Sequence, residues 1–507
     1  MPSKDSLAYI VHIETLGCRL NQDESEGIAH FFSEAGFSLD MENVSLKHHA
    51  DSEKVFLCIV NTCTVTGKAE QKARRVIRLL LQTFTKAFVI VTGCYAESGT
   101  EEILALSQSR IVVLNGKQKS LLKKLAFSLA KDAENACLKD LNTLKIENYL
   151  FAEKESSVFS PIEKKKNSSL FVETKKLAVA ENPFELYTSQ FVKHSRASLK
   201  IQDGCNNNCS FCKIHIARGK AISLNVEEVL NRVKELETAN IPEVVLTGVN
   251  LSQYSGKRNL DSRENANFTE LLKILLNETS KIRFRISSFY PEHITKELCE
   301  VISSERVQNS FHLSVQSGND EILRLMLRPY SAQDVRNAVL LLRSAKKNPF
   351  ISCDIIAGFP SESEEAFLDT KNLCSELHFA WIHAFPFSPR QGTLAGKMQN
   401  QIAENIKNDR VKVLTNLAIE EKRAYIASFV GKRLFAVVEN SRQMRLLEAK
   451  KENVFHAVTE NFLHVFFESE KEISAGQMVQ VELESVTFLG LSKENDRDAK
   501  AKLVCCI

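Results

Sequence analysis

Residues 201–212 read IQDGCNNNCSFC, which sets Cys205, Cys209 and Cys212 on one short segment directly after a strand-like run. Three thiolates on one loop can hold three irons of a [4Fe–4S] cluster and leave the fourth iron open to a reactant. The alternatives are a zinc site with His215 as a nearby fourth ligand, or three unrelated thiols. The spacing and the position after a strand favour the cluster.

This segment lies at the start of a series of alternating strand and helix patterns over residues 194–425. Apolar residues such as Val226, Val229 and Val233 repeat at helical spacing between the strand-like runs. Successive β–α units predict right-handed crossovers and a parallel sheet that curls into a partial (β/α)6 barrel, with its chemistry at the C-terminal strand ends. The strand-like runs cover residues 198–202, 244–248, 283–287, 311–315, 351–356 and 380–386.

A second α/β region precedes the barrel, over residues 1–130. Its three strand-like runs alternate with helix-capable stretches and predict a small domain with a largely parallel sheet. A cysteine follows each run closely, namely Cys18, Cys63 and Cys94. Because parallel strands end at one edge of a sheet, these positions predict a second set of three thiolates. The three runs cover residues 8–16, 55–60 and 87–91.

For any one of these cysteines taken alone, a buried small side chain is the more common role. Cys58 illustrates that role, because it lies inside a predicted strand and is assigned to the core. The same core assignment is made for Cys137, Cys299, Cys353 and Cys374.

The remaining segments differ in composition. Residues 131–193 are rich in Lys, Glu, Ser and Asn, which indicates a charged linker with some helix. Residues 426–490 carry short alternating apolar and polar runs, which predict a small antiparallel β-barrel. Residues 491–507 are interpreted as a charged tail. The overall fold class is therefore α/β.

The bulk composition limits the classes of protein to consider. A chain of 507 residues predicts two to four domains, and 44% hydrophobic with 25% charged residues is typical of globular proteins. Neither an export signal nor an apolar run of about 18–20 residues is found, so a cytoplasmic protein without a membrane span is expected. Thirteen cysteines in such a protein favour metal binding over disulfides. A net charge of +3 does not identify a nucleic-acid partner.

The Cys-x3-Cys-x2-Cys motif at the start of a βα barrel resembles the radical S-adenosylmethionine (SAM) superfamily. The strings Lys200–Cys205 and Ala217-Arg218-Gly219 resemble its methylthiotransferase branch. The resemblance implies that Cys205, Cys209 and Cys212 ligate a catalytic [4Fe–4S] cluster, which cleaves SAM to a 5′-deoxyadenosyl radical. It also implies that Cys18, Cys63 and Cys94 ligate a second, auxiliary [4Fe–4S] cluster that handles the inserted sulfur.

The family pattern further suggests contacts to SAM at later strand ends. Thr247 and Gly248 end the second barrel strand, and a glycine there allows close approach to a ligand. Ser288, Gln316 and Asp354 lie in segments that resemble other parts of the family's SAM pocket. Each of these segments could equally be an ordinary strand-terminating turn.

Two features bear on RNA. Five basic residues mark one face of the helix after Cys63, which is either a solvated surface or a phosphate contact. The C-terminal barrel resembles the RNA-binding TRAM domain, although its basic residues Lys432, Arg433, Arg442 and Arg445 are mixed with glutamates. The five residues of the basic face are Lys68, Lys72, Arg74, Arg75 and Arg78.

Within the family, the strings Asn61–Thr66 and Val245–Asn250 most resemble the branch acting on N6-threonylcarbamoyladenosine at position 37 of tRNA. The isopentenyladenosine and ribosomal-protein branches rank second and third, and a non-catalytic RNA-binding metalloprotein stays open. The resemblance implies two roles for SAM, methylation of a sulfur and activation of the adenosine C2–H. It also implies an electron donor such as flavodoxin or ferredoxin, while the oligomeric state is not assigned.

The sequence departs from the family pattern at three places near the expected site. One is the segment Lys220–Leu224, which stands in place of an arginine-rich continuation after Ala217-Arg218-Gly219. Ser361-Glu362-Ser363 stands where Gly-Glu-Thr is usual, and Lys213–Ile216 replaces an apolar-apolar-Pro-Tyr run. All three departures concern substrate contacts and leave all six expected cluster cysteines in place.

Overall fold

The computed structural model describes residues 9–45, 53–134, 141–151, 182–191, 196–259, 261–439, 453–490 and 497–507. The chain divides into two units that alternate along the sequence. The first comprises Met1–Leu16, Gly27–Thr62 and Ala73–Leu186, and the second comprises Gly17–Glu26, Cys63–Lys72 and Tyr187–Ile507.

The N-terminal strands form one five-stranded parallel sheet in the order β2-β1-β3-β4-β5. The three predicted strands are confirmed as β1, β3 and β4, while β2 and β5 are three-residue edge strands too short to show a pattern. The elements are β1 (Ile10–Thr15), α1 (Arg19–Glu34), β2 (Ser38–Asp40), β3 (Val55–Thr62), α2 (Gly67–Thr83), β4 (Phe88–Gly93), α3 (Cys94–Ser98), α4 (Thr100–Leu104), β5 (Ile111–Val113), α5 (Leu121–Glu134) and α6 (Thr143–Phe151).

Helices cover both faces of this sheet, which explains why β3 is apolar along most of its length. Leu57 and Ile59 face a core with residues of α1, α5 and α6. Cys58 and Val60 face the opposite core with residues of α2. Cys58 is fully buried there, as its position inside the strand predicted.

The central strands are parallel and follow chain order, as the predicted partial barrel requires. Strands β6, β9 and β12 form one sheet, and β13 to β16 form the next, with a break at Ser287 between β12 and β13. The elements are β6 (Ala197–Lys200), β7 (Gln202–Asp203), α7 (Ile214–Arg218), β8 (Ile222–Ser223), α8 (Val226–Thr238), β9 (Glu243–Thr247), β10 (Ser255–Lys257), β11 (Asn265–Asn267), α9 (Phe268–Glu278), β12 (Arg283–Ile286), β13 (Ser288–Phe289), α10 (Lys296–Ile302), β14 (Ser310–Gln316), α11 (Asp320–Leu325), α12 (Ala332–Ala345), β15 (Phe350–Ala357), α13 (Glu364–Glu376), β16 (Trp381–Pro386), α14 (Leu394–Lys397) and α15 (Glu404–Ala427).

Local sequence signals explain where several barrel helices begin. The Asn225 side chain accepts a hydrogen bond from Glu228 N and caps α8. Asn267 with Glu270 forms a capping box at α9, and a serine with an aspartate does the same at α12. The apolar face of α8, including Val229 and Val233, is buried as its spacing predicts.

The C-terminal strands form a closed five-stranded barrel in the order β17-β18-β19-β21-β20. All neighbouring pairs are antiparallel except β19 with β21. The strands are β17 (Arg433–Val438), β18 (Val454–Thr459), β19 (His464–Glu468), β20 (Met478–Val486) and β21 (Ala499–Cys506).

Strand β21 corrects part of the expected charged tail of residues 491–507. Ala499 and Ala501 are buried in the barrel, whereas Lys500 and Lys502 are exposed between them. The charges therefore lie on the solvent face of a strand.

The core assignment of Cys137 lies outside the described residues, and so do parts of two other expectations. These are most of the 131–193 linker, including residues 152–181, and the basic residues Arg442 and Arg445. Among the described helices, none is both long and apolar enough to span a bilayer.

Candidate iron–sulfur and SAM site

The loop with the three barrel cysteines begins at Gly204, where the backbone is left-handed with φ 70°. A Cβ at this position would lie 2.0 Å from the carbonyl oxygen of Lys220, so a side chain cannot be accommodated. The loop then folds back on itself, because Cys205 N donates to the Gly219 carbonyl at 3.0 Å. Cys212 N likewise donates to the Cys209 carbonyl at 3.0 Å. One glycine and two backbone hydrogen bonds thus fix the backbone course of the loop that carries the three cysteines.

The three thiols lie in a largely buried environment and influence one another. Burial raises the pKa of the Cys205 thiol, and it raises the pKa of Cys212 to about 11, with added repulsion from Cys209 and Cys205. Thiols with raised pKa values need a bound cation to become thiolates, and metal binding releases their protons. Within the described ranges, no group of three or more His, Cys, Asp or Glu side chains is arranged as a ready-made site for a metal ion.

Hydrogen-bond donors surround these sulfurs. Arg328 Nη1 lies 3.4 Å from Cys209 Sγ, and the hydroxyl of Tyr290 lies 3.9 Å from the same sulfur. Asn250 Nδ2 lies 4.0 Å from Cys205 Sγ. A cationic group and neutral donors suit the negative charge of thiolate-ligated iron and influence its reduction potential. The donor set therefore fits a [4Fe–4S] cluster held by the three cysteines.

Arg328 and Tyr290 were not identified from the sequence. Arg328 follows α11 in a stretch without a recognisable motif, and its guanidinium packs 4.4 Å from the centre of the Tyr290 ring. Both residues reach the cysteine loop from later barrel strands and their connections, so only the folded chain brings them to it.

The expected SAM contacts at the end of β9 are linked to the cysteine loop. Thr247 is the last residue of β9, and a Cβ on Gly248 would lie 2.8 Å from Gln202 Oε1. That Gln202 oxygen accepts a hydrogen bond from Asn250 N at 2.8 Å, while its Nε2 donates to the Gly204 carbonyl at 2.8 Å. Gln202 thus connects the two loops side by side.

The other expected SAM contacts fall in two kinds of position. Ser288 lies just past the end of β12, next to Ser287, whose buried hydroxyl has no hydrogen-bond partner among the described residues. Gln316 ends β14 with φ 70°. Asp354 differs, because it lies within β15 and not at a strand end, and it pairs with His312 at 3.0 Å.

A buried ion network joins the cysteine loop to the residues after Cys18. Lys200 Nζ lies 2.9 Å from Glu24 and 3.0 Å from Asp203. Arg218 Nη1 lies 3.0 Å from both carboxylates, and its Nη2 donates to Asn21 Oδ1 at 2.8 Å. Burial raises the pKa of Asp203, but Arg218 and Lys200 lower it further, to a net value below the ordinary one. Every charge in the network therefore has a close counter-charge.

The N-terminal cysteines follow three neighbouring strands. Thr15 of β1 pairs with Asn61 of β3, which pairs with Thr92 of β4, so the three strand ends are in register. Cys63 and Cys94 come directly after β3 and β4, and Cys18 comes three residues after β1.

Two left-handed glycines precede cysteines at these strand ends. A Cβ on Gly17 (φ 102°) would lie 2.7 Å from Cys63 Sγ, and a Cβ on Gly93 (φ 98°) would lie 2.3 Å from the Thr62 carbonyl oxygen. The glycines permit close packing next to the thiols. Each of the three cysteines thus follows a strand of the same parallel sheet.

The loop after Cys63 is held by a residue that the sequence patterns did not indicate. Arg390 donates to Thr64 Oγ1 at 2.9 Å and pairs with Glu70. Gly67 N donates to Ser388 Oγ at 3.3 Å. Both partners lie after β16, far away in sequence.

The predicted basic face of α2 is only partly open. Lys68, Lys72, Arg75 and Arg78 are exposed. Arg74 is a correction to that prediction, because it donates to the Tyr95 hydroxyl and pairs with Glu102, each at 2.6 Å.

Comparison with known proteins gives two family matches. Residues 199–374 match the Radical SAM superfamily, and residues 10–115 match Uncharacterized protein family UPF0004. The cysteine loop lies within the first match, and all three strand-end cysteines lie within the second.

Several relatives align along most of their length. The chain is 41% identical to a threonylcarbamoyladenosine tRNA methylthiotransferase of Treponema pallidum, over 90% of this chain and 94% of the relative. It is 32% identical to the Bacillus subtilis protein of the same name, over 93% of each. It is 31% identical to a tRNA-2-methylthio-N(6)-dimethylallyladenosine synthase of Neorickettsia sennetsu, over 83% of this chain and 81% of the relative. The chain therefore belongs to the radical SAM tRNA methylthiotransferase family and is a SAM-dependent transferase.

Proposed function

We propose that the protein adds a methylthio group to C2 of N6-threonylcarbamoyladenosine at position 37 of tRNA. The observation that carries this proposal is the alignment with the Treponema relative of that activity over nearly the whole of both chains. The cysteine loop of the barrel supports the chemistry, since its three thiols leave one iron of a four-iron cluster open to a reactant.

In this proposal the barrel residues have distinct tasks. Cys205, Cys209 and Cys212 ligate the cluster, which when bound supplies the electron that cleaves SAM. Arg328 and Tyr290 direct donors at Cys209 Sγ, the former from 3.4 Å and the latter from 3.9 Å. These contacts hold the sulfur in place and stabilise its negative charge.

The proposed SAM contacts lie around the same loop. Thr247, Gly248, Ser288 and Gln316 are all at or just past strand ends, where βα barrels bind their ligands. Gln202 supports this arrangement, because its amide bonds to both Gly204 and Asn250 and so keeps the β9 end against the cysteine loop.

We further propose that Cys18, Cys63 and Cys94 ligate an auxiliary [4Fe–4S] cluster that carries the inserted sulfur. The in-register strand ends and the glycines beside the thiols support this assignment. One SAM would then methylate the sulfur and another would activate the adenosine C2–H, with flavodoxin or ferredoxin as the kind of electron donor required.

Iron analysis and nucleoside mass spectrometry test the proposal together. Anaerobically reconstituted protein is expected to hold about eight irons per chain, from two four-iron clusters. A deletion strain is expected to lose 2-methylthio-N6-threonylcarbamoyladenosine and to accumulate its unthiolated precursor. An unchanged nucleoside profile in that strain would contradict the proposed activity.

Methylthiolation of an isopentenyl-type adenosine is the second candidate. The alignment with the Neorickettsia dimethylallyladenosine synthase favours it, at lower identity than the Treponema alignment. The same deletion strain separates the two candidates, because each predicts loss of a different 2-methylthio nucleoside.

A further inference from the structure

A row of aromatic and polar side chains runs across strands β14, β15 and β16. We call it the β16 row, and it consists of His312, Asp354, Trp381, His383 and Phe385. Residues at i, i+2 and i+4 of a strand share one face, which places the three β16 members together. On β15 the neighbouring Cys353 is fully buried and interacts with Cys374 of α13, so the helices cover the opposite face. The row therefore faces the barrel interior.

Hydrogen bonds within the row fix a donor beside an acceptor. Trp381 Nε1 donates to His383 Nδ1 at 3.2 Å, so the neutral His383 ring carries its proton on Nε2. Burial and the nearby His312 lower the pKa of His383, which keeps this ring neutral near pH 7. Asp354 is the direct register partner of His383. The row thus presents an N–H next to a carboxylate.

Aromatic surface lies next to this pair. The rings of His383 and Phe385 are parallel within 8°, with centroids 6.5 Å apart. Phe385 is 44% exposed, so its ring is not used to fill the core. Flat exposed rings of this kind are the surfaces on which proteins stack unpaired bases.

The row is electrostatically connected to the cysteine loop. Arg328, which donates to Cys209 Sγ, also acts on Asp354. Burial raises the pKa of Asp354, but the hydrogen bond from His312 and the positive charge of Arg328 lower it to a net value below the ordinary one. The Asp354 carboxylate is therefore ionised and can accept hydrogen bonds. It also interacts electrostatically with Arg328, the residue that donates to Cys209 of the cysteine loop.

We propose that the β16 row binds the target purine of the tRNA, stacked on Phe385, with its edge paired to His383 and Asp354. This inference rests on the proposed function and deepens it. Adenine offers a ring nitrogen acceptor beside an exocyclic N–H donor, which complements the His383 N–H and the Asp354 carboxylate. Guanine offers two acceptors at the corresponding edge and leaves Asp354 without a donor. Asp354 is thereby assigned to the nucleoside, although the family resemblance had suggested a contact to SAM.

Binding of matched RNAs tests the assignment on the reconstituted holoenzyme. Two anticodon stem-loops are compared that differ only by adenosine or guanosine at the target position, so that phosphate contacts are equal in both. Phe385→Ala is expected to weaken binding of the adenosine RNA about five- to 150-fold through lost stacking. Asp354→Asn is expected to lower the ratio of adenosine to guanosine affinity by a similar factor. Phe127→Ala removes another exposed ring, 41% exposed on α5, and is expected to change neither quantity.

Trp381 gives a local readout, because it is the only tryptophan in the chain. Its emission is expected to change on addition of the adenosine RNA, and this change should be lost in Phe385→Ala. Iron content and the far-ultraviolet spectrum show whether each variant is folded and loaded.

SAM also contains an adenine, so the affinity for SAM is measured in parallel. Unchanged SAM affinity in Phe385→Ala, with weakened RNA binding, supports the proposal. Weakened SAM affinity with unchanged RNA binding, or no change in either, overturns it. RNA binding does not require turnover, so a wild-type protein that forms no methylthio nucleoside would refute the proposed function while the binding ratios still test the row.

Discussion

The two sets of cysteines are positioned in the chain in different ways. Cys205, Cys209 and Cys212 lie on one loop, and their arrangement depends on Gly204 and on hydrogen bonds within the loop. Cys18 and the other two N-terminal cysteines follow separate strands, and their arrangement depends on the register of those strands. A local set tolerates changes elsewhere in the sheet, whereas a set built from strand ends requires the whole sheet to form first.

Buried ion pairs hold the segment that follows Cys18 against residues next to the cysteine loop. Glu24, six residues after Cys18, pairs with Lys200 and Arg218, and both of these also pair with Asp203 next to the cysteine loop. The segment that carries Cys18 is thus anchored by buried charges and not by apolar packing alone. Buried pairs of this kind are costly to break, because the remaining partner stays charged in a low-dielectric environment.

Loss of one cysteine from each set gives the largest expected effect. Cys209→Ala is expected to remove about four irons per chain and to abolish SAM cleavage. Cys63→Ala is expected to remove about four irons and the methylthio product, while SAM cleavage without RNA continues. Iron analysis and 5′-deoxyadenosine formation measure the two outcomes, with Cys58→Ala as a control for loss of a buried thiol. Loss of SAM cleavage in both variants would show that the two sets are not independent.

Substitution of Gly204 tests whether the arrangement of the three barrel cysteines depends on the backbone of their own loop. Gly204→Ala is expected to lose the iron of the barrel cluster and SAM cleavage, because the new Cβ would lie 2.0 Å from a backbone oxygen. Gly392→Ala is the matched control, since φ there is also positive at 85° but a Cβ meets nothing within 4 Å. The control is expected to cost only about 1–2 kcal/mol of stability from the left-handed backbone. Equal iron content in both variants would contradict the steric explanation.

The buried ion network gives an intermediate effect on stability. Arg218→Met leaves Glu24 and Asp203 short of a counter-charge and is expected to lower the free energy of unfolding by about 3–5 kcal/mol. Arg258→Met breaks a pair with Glu270 on the surface and is expected to cost less than about 1 kcal/mol. Denaturant midpoints compare the two variants. A small shift for Arg218→Met would mean that the network does not anchor the Cys18 segment.

The exposed basic face of α2 gives the smallest expected effect. This helix begins four residues after Cys63. A phosphate contact on α2 would therefore place RNA next to a cysteine of the N-terminal set, a feature that the barrel set does not share. Arg75→Ala is expected to weaken tRNA binding modestly and to reduce the salt slope of the binding constant by about 0.9. Lys86→Ala, an exposed lysine before β4, is the control. Identical salt slopes in both variants would show that the exposed face of α2 does not contact the phosphates of the tRNA.

Much of the fold follows from patterns in the sequence. The three main N-terminal strands and the six barrel strands were predicted within a few residues of their observed bounds, because each is a short strand-like run between helical patterns. The edge strands β2 and β5 were not predicted, since three residues are too few to show a period. Strand β21 was mistaken for a tail because lysines alternate with the small side chains of Ala499 and Ala501.

The candidate site was predictable to a similar degree. The six cysteines proposed as cluster ligands carry a signal of their own, either a fixed spacing or a position after a strand. Arg328 and Arg390 carry none, because an arginine without a motif cannot be distinguished from a solvated one until its partners are known. The inward face of β16 was likewise not recognised, since alternation alone does not reveal which side of a strand faces the barrel interior.

The sequence alone determined the class of chemistry and the order of the elements, because the thiols, the glycines and the apolar periods are local properties of the chain. Only the tertiary structure decided which distant side chains meet, such as Glu24 with Arg218 or Asp354 with His383. The physical reason is that contacts between distant residues depend on strand register and on the packing of whole elements, which no short stretch of sequence specifies.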